Sequence, residues 1–190
     1  MKHISAIILA AGKSTRMGQQ KMLMPWGSAT VLEKVIQTVQ VAEIEDIILV
    51  ASPQIASKFQ DKYLQVVLNA EEEMLKSIQL GLQAQKESAE ATLICLGDQP
   101  QMEEGSVRSV CEAFQKNAAN LVAPSYQMRR GHPWLVERSL WSEILSMQNG
   151  TMREFLDKYA NQIQYVNLST PTILQDLDTP EDYLKYKPSM

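Results

Sequence analysis

Cysteine is scarce in this chain of 190 residues, which contains two. Cys95 and Cys111 lie in the apolar segments TLICLG and SVCEAF, with neither CxxC spacing nor a histidine cluster nearby. These surroundings argue against a disulfide framework and against a zinc site. We therefore expect two buried thiols in a protein that works in a reducing compartment.

Clustered positive charge and long apolar runs are also missing. The formal net charge is −4, and the lysines and arginines are spread along the chain without a basic stripe that could neutralise a run of phosphates. A polymeric nucleic-acid partner is therefore not expected. No segment approaches the roughly 18 apolar residues that a membrane span needs, so no membrane partner is expected.

The first residues resemble a short signal peptide, because Lys2 and His3 precede the apolar run ISAIILAA. The run continues without a break into residues 12–16, whose composition indicates a functional loop. Cleavage would remove part of that loop. We therefore expect the segment to be retained and the protein to be cytoplasmic.

Short β-branched and aliphatic runs alternate with amphipathic stretches along the chain, which is typical of βαβ units. The candidate strands are residues 5–10, 46–51, 64–68, 92–96 and 120–124, and most are continuously apolar, as expected for strands covered on both faces. No repeat or linker interrupts the series, and 45% of the residues are hydrophobic. The sequence predicts a single domain over residues 1–190 with an α/β fold: three layers, with a mainly parallel sheet and helices on both faces.

Helix signals separate these runs. Thr30 and Glu33 have the spacing of a capping box, and apolar residues then recur at helical spacing. Further helices are predicted over residues 72–85, with Glu71, Glu72 and Glu73 as an acidic first turn, and over 105–116, 139–147 and 151–159. Thr179 and Pro180 have the residue types of a helix N-cap and first helical position. Residues 126–133 interrupt the alternation, and we expect an excursion over the carboxyl ends of the strands, where open α/β sheets bind ligands.

The first predicted strand continues into the loop LAAGKSTRMG of residues 9–18, and Lys21 follows closely. A turn of small residues lets backbone N–H groups approach a phosphate, and Arg16 and Lys21 add positive charge. These features predict a triphosphate-binding loop. A Walker A loop and a GxGxxG fingerprint both fail on spacing, since the first needs glycine at position 7 and the second needs glycine at positions 14 and 17. A solvated loop of ordinary turn residues is the remaining alternative.

Asp98 follows a glycine at the end of the fourth main strand, a position that suits a metal ligand. Mg²⁺ usually binds one or two protein carboxylates and completes its coordination with phosphate oxygens and water. Asp178, which precedes the helix start at Thr179, is the best candidate for a second carboxylate. Each aspartate taken alone could equally be a turn or cap residue.

Four ordered motifs carry a resemblance that covers essentially the whole chain: LAAGKSTRMG with Lys21, then LGDQP, then RRGHP at residues 129–133, then LDTPED near the end. In this order they resemble the MobA-like nucleotidyltransferases, and within them the molybdenum cofactor cytidylyltransferase branch. The resemblance implies a Rossmann-like nucleotide-diphospho-sugar transferase architecture. It also implies that Arg16 and Lys21 contact phosphates, that Asp98 and Asp178 bind Mg²⁺, and that Arg16, Lys21 and Asp98 are catalytic. The nucleotide-binding residues that it implies are Leu9, Ala10, Ala11, Gly12, Lys13, Ser14, Arg16, Lys21 and Ser77.

The resemblance also indicates the substrates. Ala10-Ala11-Gly12 matches the cytidylyl branch, whereas the guanylyl branch typically has Ala-Gly-Gly, so CTP is expected over GTP. Isoprenoid and sugar-phosphate nucleotidyltransferases commonly have proline where this chain has Gln20. This difference argues against membership in those two families. The motif Gly131, His132 and Pro133 implies contact with the acceptor, a molybdopterin-type cofactor, although a lone histidine is more often structural. The product of such a reaction would be a cytidylylated molybdenum cofactor, and the protein partner that it implies is a molybdoenzyme client.

Two segments depart from the family pattern. Residues 73–78 read EMLKSI where the family has a Gly-Met-Ser-Ser-Ser-Leu type segment, and residues 149–151 read NGT where relatives often have a Gly-Asp-x-Gly turn. A guanylyltransferase, a sugar-phosphate nucleotidyltransferase and a non-catalytic nucleotide-binding or cofactor-delivery protein therefore stay open as alternatives. The expected reaction is attack by a terminal phosphate oxygen of the molybdopterin cofactor on the α-phosphorus of CTP, with release of pyrophosphate.

Overall fold

A mixed β-sheet forms the centre of the protein; the structure, a computed structural model, describes residues 2–59, 64–71, 73–117 and 119–188. The strands are β1 (Ile4–Ala10), β2 (Pro25–Trp26), β3 (Ala29–Thr30), β4 (Ile47–Ala51), β5 (Gln65–Leu68), β6 (Ala91–Leu96), β7 (Leu121–Tyr126), β8 (Arg129–Arg130), β9 (Trp134–Glu137) and β10 (Ile163–Asn167). The helices are α1 (Val31–Val41), α2 (Pro53–Ala56), α3 (Met74–Gln83), α4 (Glu104–Lys116), α5 (Trp141–Ser146), α6 (Met152–Lys158) and α7 (Pro180–Tyr186).

The strand order in the large sheet is β10-β7-β9-β6-β1-β4-β5, with β8 paired to β7. β1 runs parallel to β4 and β6, and β7 runs parallel to β10. β9 lies antiparallel between β6 and β7, so these two neighbours point in the same direction. The five predicted strands are present, with ends shifted by at most two residues, and the prediction of a mainly parallel sheet is confirmed.

Helices cover both faces of this sheet. Alternate residues of a strand point to opposite faces, and in β1 apolar, buried residues lie on both faces. In β1, Ala6 and Ile8 pack in the cluster that contains the apolar faces of α1 and α4. Ile7 and Leu9 pack instead in the cluster that contains residues of α3, α5 and α6. The predicted three-layer arrangement is therefore confirmed.

Side-chain caps begin several helices where the sequence predicts them. Thr30 and Glu33 form the expected capping box, and Thr179 forms another with Asp182 immediately before Pro180. The predicted acidic first turn of α3 is wrong: the helix begins at Met74 with Glu73 as its N-cap, and Glu72 lies outside the described residues. Residues 138–140 form a short 3-10 turn before α5, so the predicted 139–147 helix is divided.

Within the predicted excursion of residues 126–133, residues 126–130 form a tight hairpin at the carboxyl end of β7. β8 pairs antiparallel with β7, and the two residues between them, Gln127 and Met128, have φ angles of 48° and 64°. Two left-handed residues match the twist of the flanking strands in a tight hairpin. The chain then turns through Gly131 into β9. None of the helices in the described ranges combines the length and apolar character that a membrane crossing demands.

Candidate functional site

The carboxyl ends of β1 and β6 form the crevice around which the candidate site is built. β4 and β5 extend the sheet on one side of β1, whereas β6 and the strands beyond it lie on the other side. Open α/β sheets bind ligands at such a point, because the connections leave in opposite directions and open a gap. The loop after β1 and Asp98 after β6 both face this gap.

A cavity of about 330 Å³ occupies the crevice. The predicted site residues that line it are Leu9, Ala11, Gly12, Lys13, Ser14, Arg16, Lys21, Ser77, Asp98 and Asp178. Its other lining residues are Thr15, Met22, Met74, Leu96 and Asp176. Ala10 does not line the cavity, since its side chain is fully buried in the core beside α1.

Ser14 and Gln20 close the base of the loop that follows β1. The Ser14 hydroxyl donates to Gln20 Oε1 at 2.8 Å and accepts from the Lys21 backbone N–H at 3.2 Å. Ser14 itself has a φ of 51°, in the left-handed region that few residues other than glycine adopt readily. The loop is thus an ordered turn whose backbone conformation is held by its own side chains. Sequence reasoning missed this role of Gln20.

Lys21 joins the two predicted metal ligands. Its ammonium Nζ lies 2.5 Å from Asp98 Oδ2 and 3.3 Å from Asp178 Oδ1. Lys21 is buried, with 8% of its surface exposed, and its contact with Asp98 is more shielded from solvent than its contact with Asp178, whose side chain is 39% exposed. Arg16, which is mostly exposed, reaches the other oxygen of Asp178 at 3.1 Å. Residues from the first loop, the end of β6 and the C-terminal segment thus form one charged cluster.

Asp176 is a third carboxylate of the cavity that sequence reasoning missed. Burial raises the pKa of Asp176, and the negative charge of Asp98 raises it further, while a hydrogen bond from Gln99 acts in the opposite direction. The signal was present in the order Asp176-Leu177-Asp178. Leu177 is fully buried, and the aspartates on either side of it both line the cavity.

Ser77 occupies the side of the cavity formed by α3. Its hydroxyl oxygen accepts a hydrogen bond of 2.8 Å from the Asn69 side-chain amide. The same amide group reaches the backbone oxygen of Glu73 at 3.3 Å. Asn69, which follows β5, therefore orients the start of α3 in the segment that departs from the family pattern.

Gly131, His132 and Pro133 lie apart from this cavity, around Ile173. The His132 backbone N–H donates to the Ile173 oxygen at 3.1 Å. A Cβ atom at Gly131 would come within 2.4 Å of the same oxygen, so a larger residue would push the two segments apart. The His132–Pro133 peptide bond is cis. The predicted acceptor motif therefore contacts the segment that leads to Asp178 but does not line the cavity.

The His132 ring stacks on Trp134, with ring centroids 4.0 Å apart. Its Nε2 is buried and has no hydrogen-bond partner among the described residues. Burial lowers the pKa of His132 to about 3, and the positive charge of Arg130 contributes in the same direction. The ring is thus neutral near neutral pH, and it offers neither a positive charge nor an acidic proton to a ligand.

The protonation state of His132 can be measured by NMR. The chain contains two histidines, so the ring signals are few and can be assigned. The NMR signals of the His132 ring are expected to stay constant between pH 8 and pH 5, since the group protonates only near pH 3. His132→Gln identifies the signal by removing it. A titration midpoint of His132 near its ordinary value of about 6.5 would show that its ring is solvated.

No group of three or more His, Cys, Asp or Glu side chains within the described residues is arranged to hold a metal ion. Asp98 and Asp178 form a set of two carboxylates that both contact a single cationic atom, Lys21 Nζ. Two carboxylates are sufficient for Mg²⁺ when a bound phosphate supplies further oxygens. The cluster has the composition of a site that binds an anionic substrate together with a cation.

Comparison with known proteins identifies the family. Residues 6–163 match the MobA-like NTP transferase domain. The chain is 28% identical over 198 residues to the molybdenum cofactor cytidylyltransferase of Escherichia coli strain K12, an alignment that covers 98% of this chain and 97% of that enzyme.

Solved structures share the fold along nearly the whole chain. A nucleotidyl transferase from Methanothermobacter has a TM-score of 0.83 at 20% identity, with 98% of this chain and 97% of that chain covered. The Rv0371C protein of Mycobacterium tuberculosis H37Rv, solved as a complex with manganese, has a TM-score of 0.79 at 23% identity, with coverage of 99% and 100%. At these identities the likeness establishes the fold alone.

Proposed function

Because the chain belongs to the MobA-like NTP transferase family and is a nucleotidyltransferase, we propose that it transfers the cytidylyl group of CTP to a molybdopterin-type molybdenum cofactor. The observation that carries the proposal is the cluster of Lys21, Asp98 and Asp178 beside the loop after β1. The choice of CTP and of this acceptor is supported by the similarity to the Escherichia coli enzyme and by the residues Ala10-Ala11-Gly12.

In the proposed reaction, a terminal phosphate oxygen of the acceptor forms a bond to the α-phosphorus of CTP. The bond between the α-phosphorus and the oxygen that bridges to the β-phosphate breaks, and pyrophosphate leaves with that electron pair. No covalent intermediate on the protein is needed, so the side chains act by alignment and by charge. Arg16 and Lys21 stabilise the negative charge on the departing pyrophosphate. Leu9, Ala11, Gly12, Lys13, Ser14 and Ser77 form the surface on which the nucleotide binds.

Asp98 and Asp178 would hold the Mg²⁺ ion of this reaction. The arrangement fits a small cation, since one atom, Lys21 Nζ, already lies within 3.3 Å of both carboxylates. The Rv0371C protein of Mycobacterium tuberculosis was solved as a complex with manganese, which supports the proposal of a divalent ion here. When bound, the ion would neutralise charge on the phosphates and polarise the α-phosphate. Lys21 would then exchange carboxylate oxygens for phosphate oxygens.

The acceptor would bind beside the nucleotide, on the side of Gly131, His132 and Pro133. The Ile173 oxygen links this motif to the segment that carries Asp178, so both halves of the site rest on the same stretch of chain. A neutral His132 is suited to hydrogen bonding or stacking with the acceptor and not to neutralising its phosphate.

Nucleotide preference is measurable without the acceptor. CTP with Mg²⁺ is expected to raise the thermal unfolding midpoint more than GTP at the same concentration, because a ligand that binds the folded state stabilises it by RT ln(1 + [L]/Kd). At 100 times Kd the gain is about 2.7 kcal/mol. Asp98→Asn is the control, since it should reduce the shift with every nucleotide. An equal or larger shift with GTP would assign the chain to the guanylyl alternative.

The reaction itself is tested by pyrophosphate release from each of the four NTPs, with molybdenum cofactor or with sugar phosphates as acceptor. Release that requires both CTP and molybdenum cofactor is the expected result. Release with a sugar phosphate would replace the proposed acceptor. Nucleotide binding without pyrophosphate release under any combination would identify a binding or delivery protein.

A further inference from the structure

Gln99 lies directly behind the charged cluster, although it does not line the cavity. The residue is 1% exposed. Its side-chain amide Nε2 donates to Asp176 Oδ1 at 2.6 Å and to the Ile173 backbone oxygen at 3.4 Å. Both amide hydrogens thus have acceptors, whereas the amide oxygen Oε1 is buried and has no hydrogen-bond partner among the described residues.

The segment that receives these hydrogen bonds has little regular structure of its own. Residues 175–178 belong to no helix or strand, between the 3-10 turn Pro171–Leu174 and α7. One backbone hydrogen bond, from Leu177 N–H to the Asp98 oxygen at 3.1 Å, ties the segment to the end of β6. The position of Asp178 relative to Asp98 therefore depends on a few specific contacts.

We propose that Gln99 is a positioning residue for the pair Asp98 and Asp178. By holding Asp176 and the Ile173 oxygen, it fixes the C-terminal segment against the end of β6, so that Asp178 and Asp98 face the same cation. The Ile173 oxygen also accepts from His132, so Gln99 stabilises the junction between the charged cluster and the Gly131–Pro133 turn. The inference rests on the proposed function in one respect, that the two carboxylates bind a divalent ion.

The test uses Mn²⁺ with inorganic tripolyphosphate as the probe, measured by electron paramagnetic resonance, so that neither CTP nor the acceptor has to be the true substrate. Gln99→Glu replaces the hydrogen-bond donor with a carboxylate that faces Asp176. Repulsion between the two carboxylates should displace the segment and weaken Mn²⁺ binding about tenfold, a change within the usual range for coupled neighbours. With the best nucleotide, the apparent activation constant for Mn²⁺ should rise while kcat at saturating Mn²⁺ stays nearly constant.

Exchanging the hydrogen-bond donor and acceptor between positions 99 and 176 distinguishes a positioning role of Gln99 from a packing role. In the double variant Gln99→Glu with Asp176→Asn, the new amide at position 176 can donate to the new carboxylate at position 99, and the number of heavy atoms is unchanged. Part of the lost Mn²⁺ affinity should return, because the hydrogen bond between positions 99 and 176 is restored while the donor to the Ile173 oxygen is not. Gln99→Met, which keeps the volume without charge, should weaken binding less than Gln99→Glu and guards against a Gln99→Glu protein that fails to fold.

Two results would overturn the inference: wild-type Mn²⁺ affinity in both folded single variants at position 99, or no recovery in the double variant. A change in thermal stability without a change in Mn²⁺ affinity would likewise reduce Gln99 to a packing residue. Failure of the wild-type protein to bind Mn²⁺ with tripolyphosphate is a different outcome, because it contradicts the proposed function itself.

Discussion

Asp98→Asn and Asp178→Asn are each expected to lower kcat/KM by about 10²-fold to 10³-fold, the loss typical of removing one preorganised electrostatic group. Asparagine keeps the size and one oxygen of the side chain but removes the charge that a divalent ion requires. Both carboxylates contact Lys21 Nζ in the structure, so they share one cation position. The double variant should be little worse than the more impaired single variant, because groups that act as one unit are not additive.

The measurement is steady-state pyrophosphate release over a range of Mg²⁺ concentrations, with thermal unfolding to verify the fold. Glu112→Gln is the matched control, since this carboxylate pairs with Lys116 on the exposed face of α4. Additive losses in the double variant would assign separate roles to the two aspartates. Near-normal activity of Asp178→Asn beside an inactive Asp98→Asn would return Asp178 to the role of a residue preceding the helix start.

Lys21→Met is expected to affect the free protein and the reaction in different ways. Turnover should fall by about 10²-fold to 10³-fold, because the charge on the departing pyrophosphate loses a preorganised cation. The free protein should be destabilised by about 1–3 kcal/mol, since Asp98 and Asp178 lose their shared donor in a partly buried position. Methionine has a similar length and adds no polar group.

The effect of Mg²⁺ on the unfolding temperature, measured without nucleotide, tests whether Lys21 and the ion compete for the same two carboxylates. Without nucleotide, Mg²⁺ should raise the unfolding temperature of Lys21→Met more than that of the wild type, because the ion no longer competes with the ammonium for the two carboxylates. Lys116→Met on the surface of α4 is the control and should behave as the wild type. Full activity of Lys21→Met at saturating nucleotide would remove Lys21 from the proposed mechanism.

Local signals in the sequence account for much of the fold. The apolar run of β1, the Thr30–Glu33 box and the Thr179–Pro180 helix start all appear as predicted, because each depends on residues within a few positions of one another. β9 was not predicted, because it is short and depends on pairing with residues that are distant in the sequence. It has four residues, and its pairing partners in β6 lie more than 35 positions earlier in the chain, as in the pair Ile94 and Trp134.

The candidate site likewise has features that local sequence predicts and features that depend on contacts between distant residues. The types of residue that a nucleotide and a metal require, and their order from Gly12 to Asp178, are properties of the sequence alone. Their convergence is a property of the strand order, since β1 and β6 become neighbours only when the sheet assembles. Lys21, Asp98 and Asp178 could therefore be selected separately, but their contact could not be derived from spacing along the chain.

Sequence alone determined the alternation of strands and helices, the caps of α1 and α7 and the polar residues that follow β1 and β6, because these depend on short-range periodicity and side-chain chemistry. The tertiary structure decided that Lys21 lies between two carboxylates, that Asp176 belongs to the cavity, and that Gly131–Pro133 stands outside it against Ile173. It also decided that burial lowers the pKa of His132 and that Gln99 is buried. Burial and charge contact between distant residues arise from packing, which no local pattern encodes.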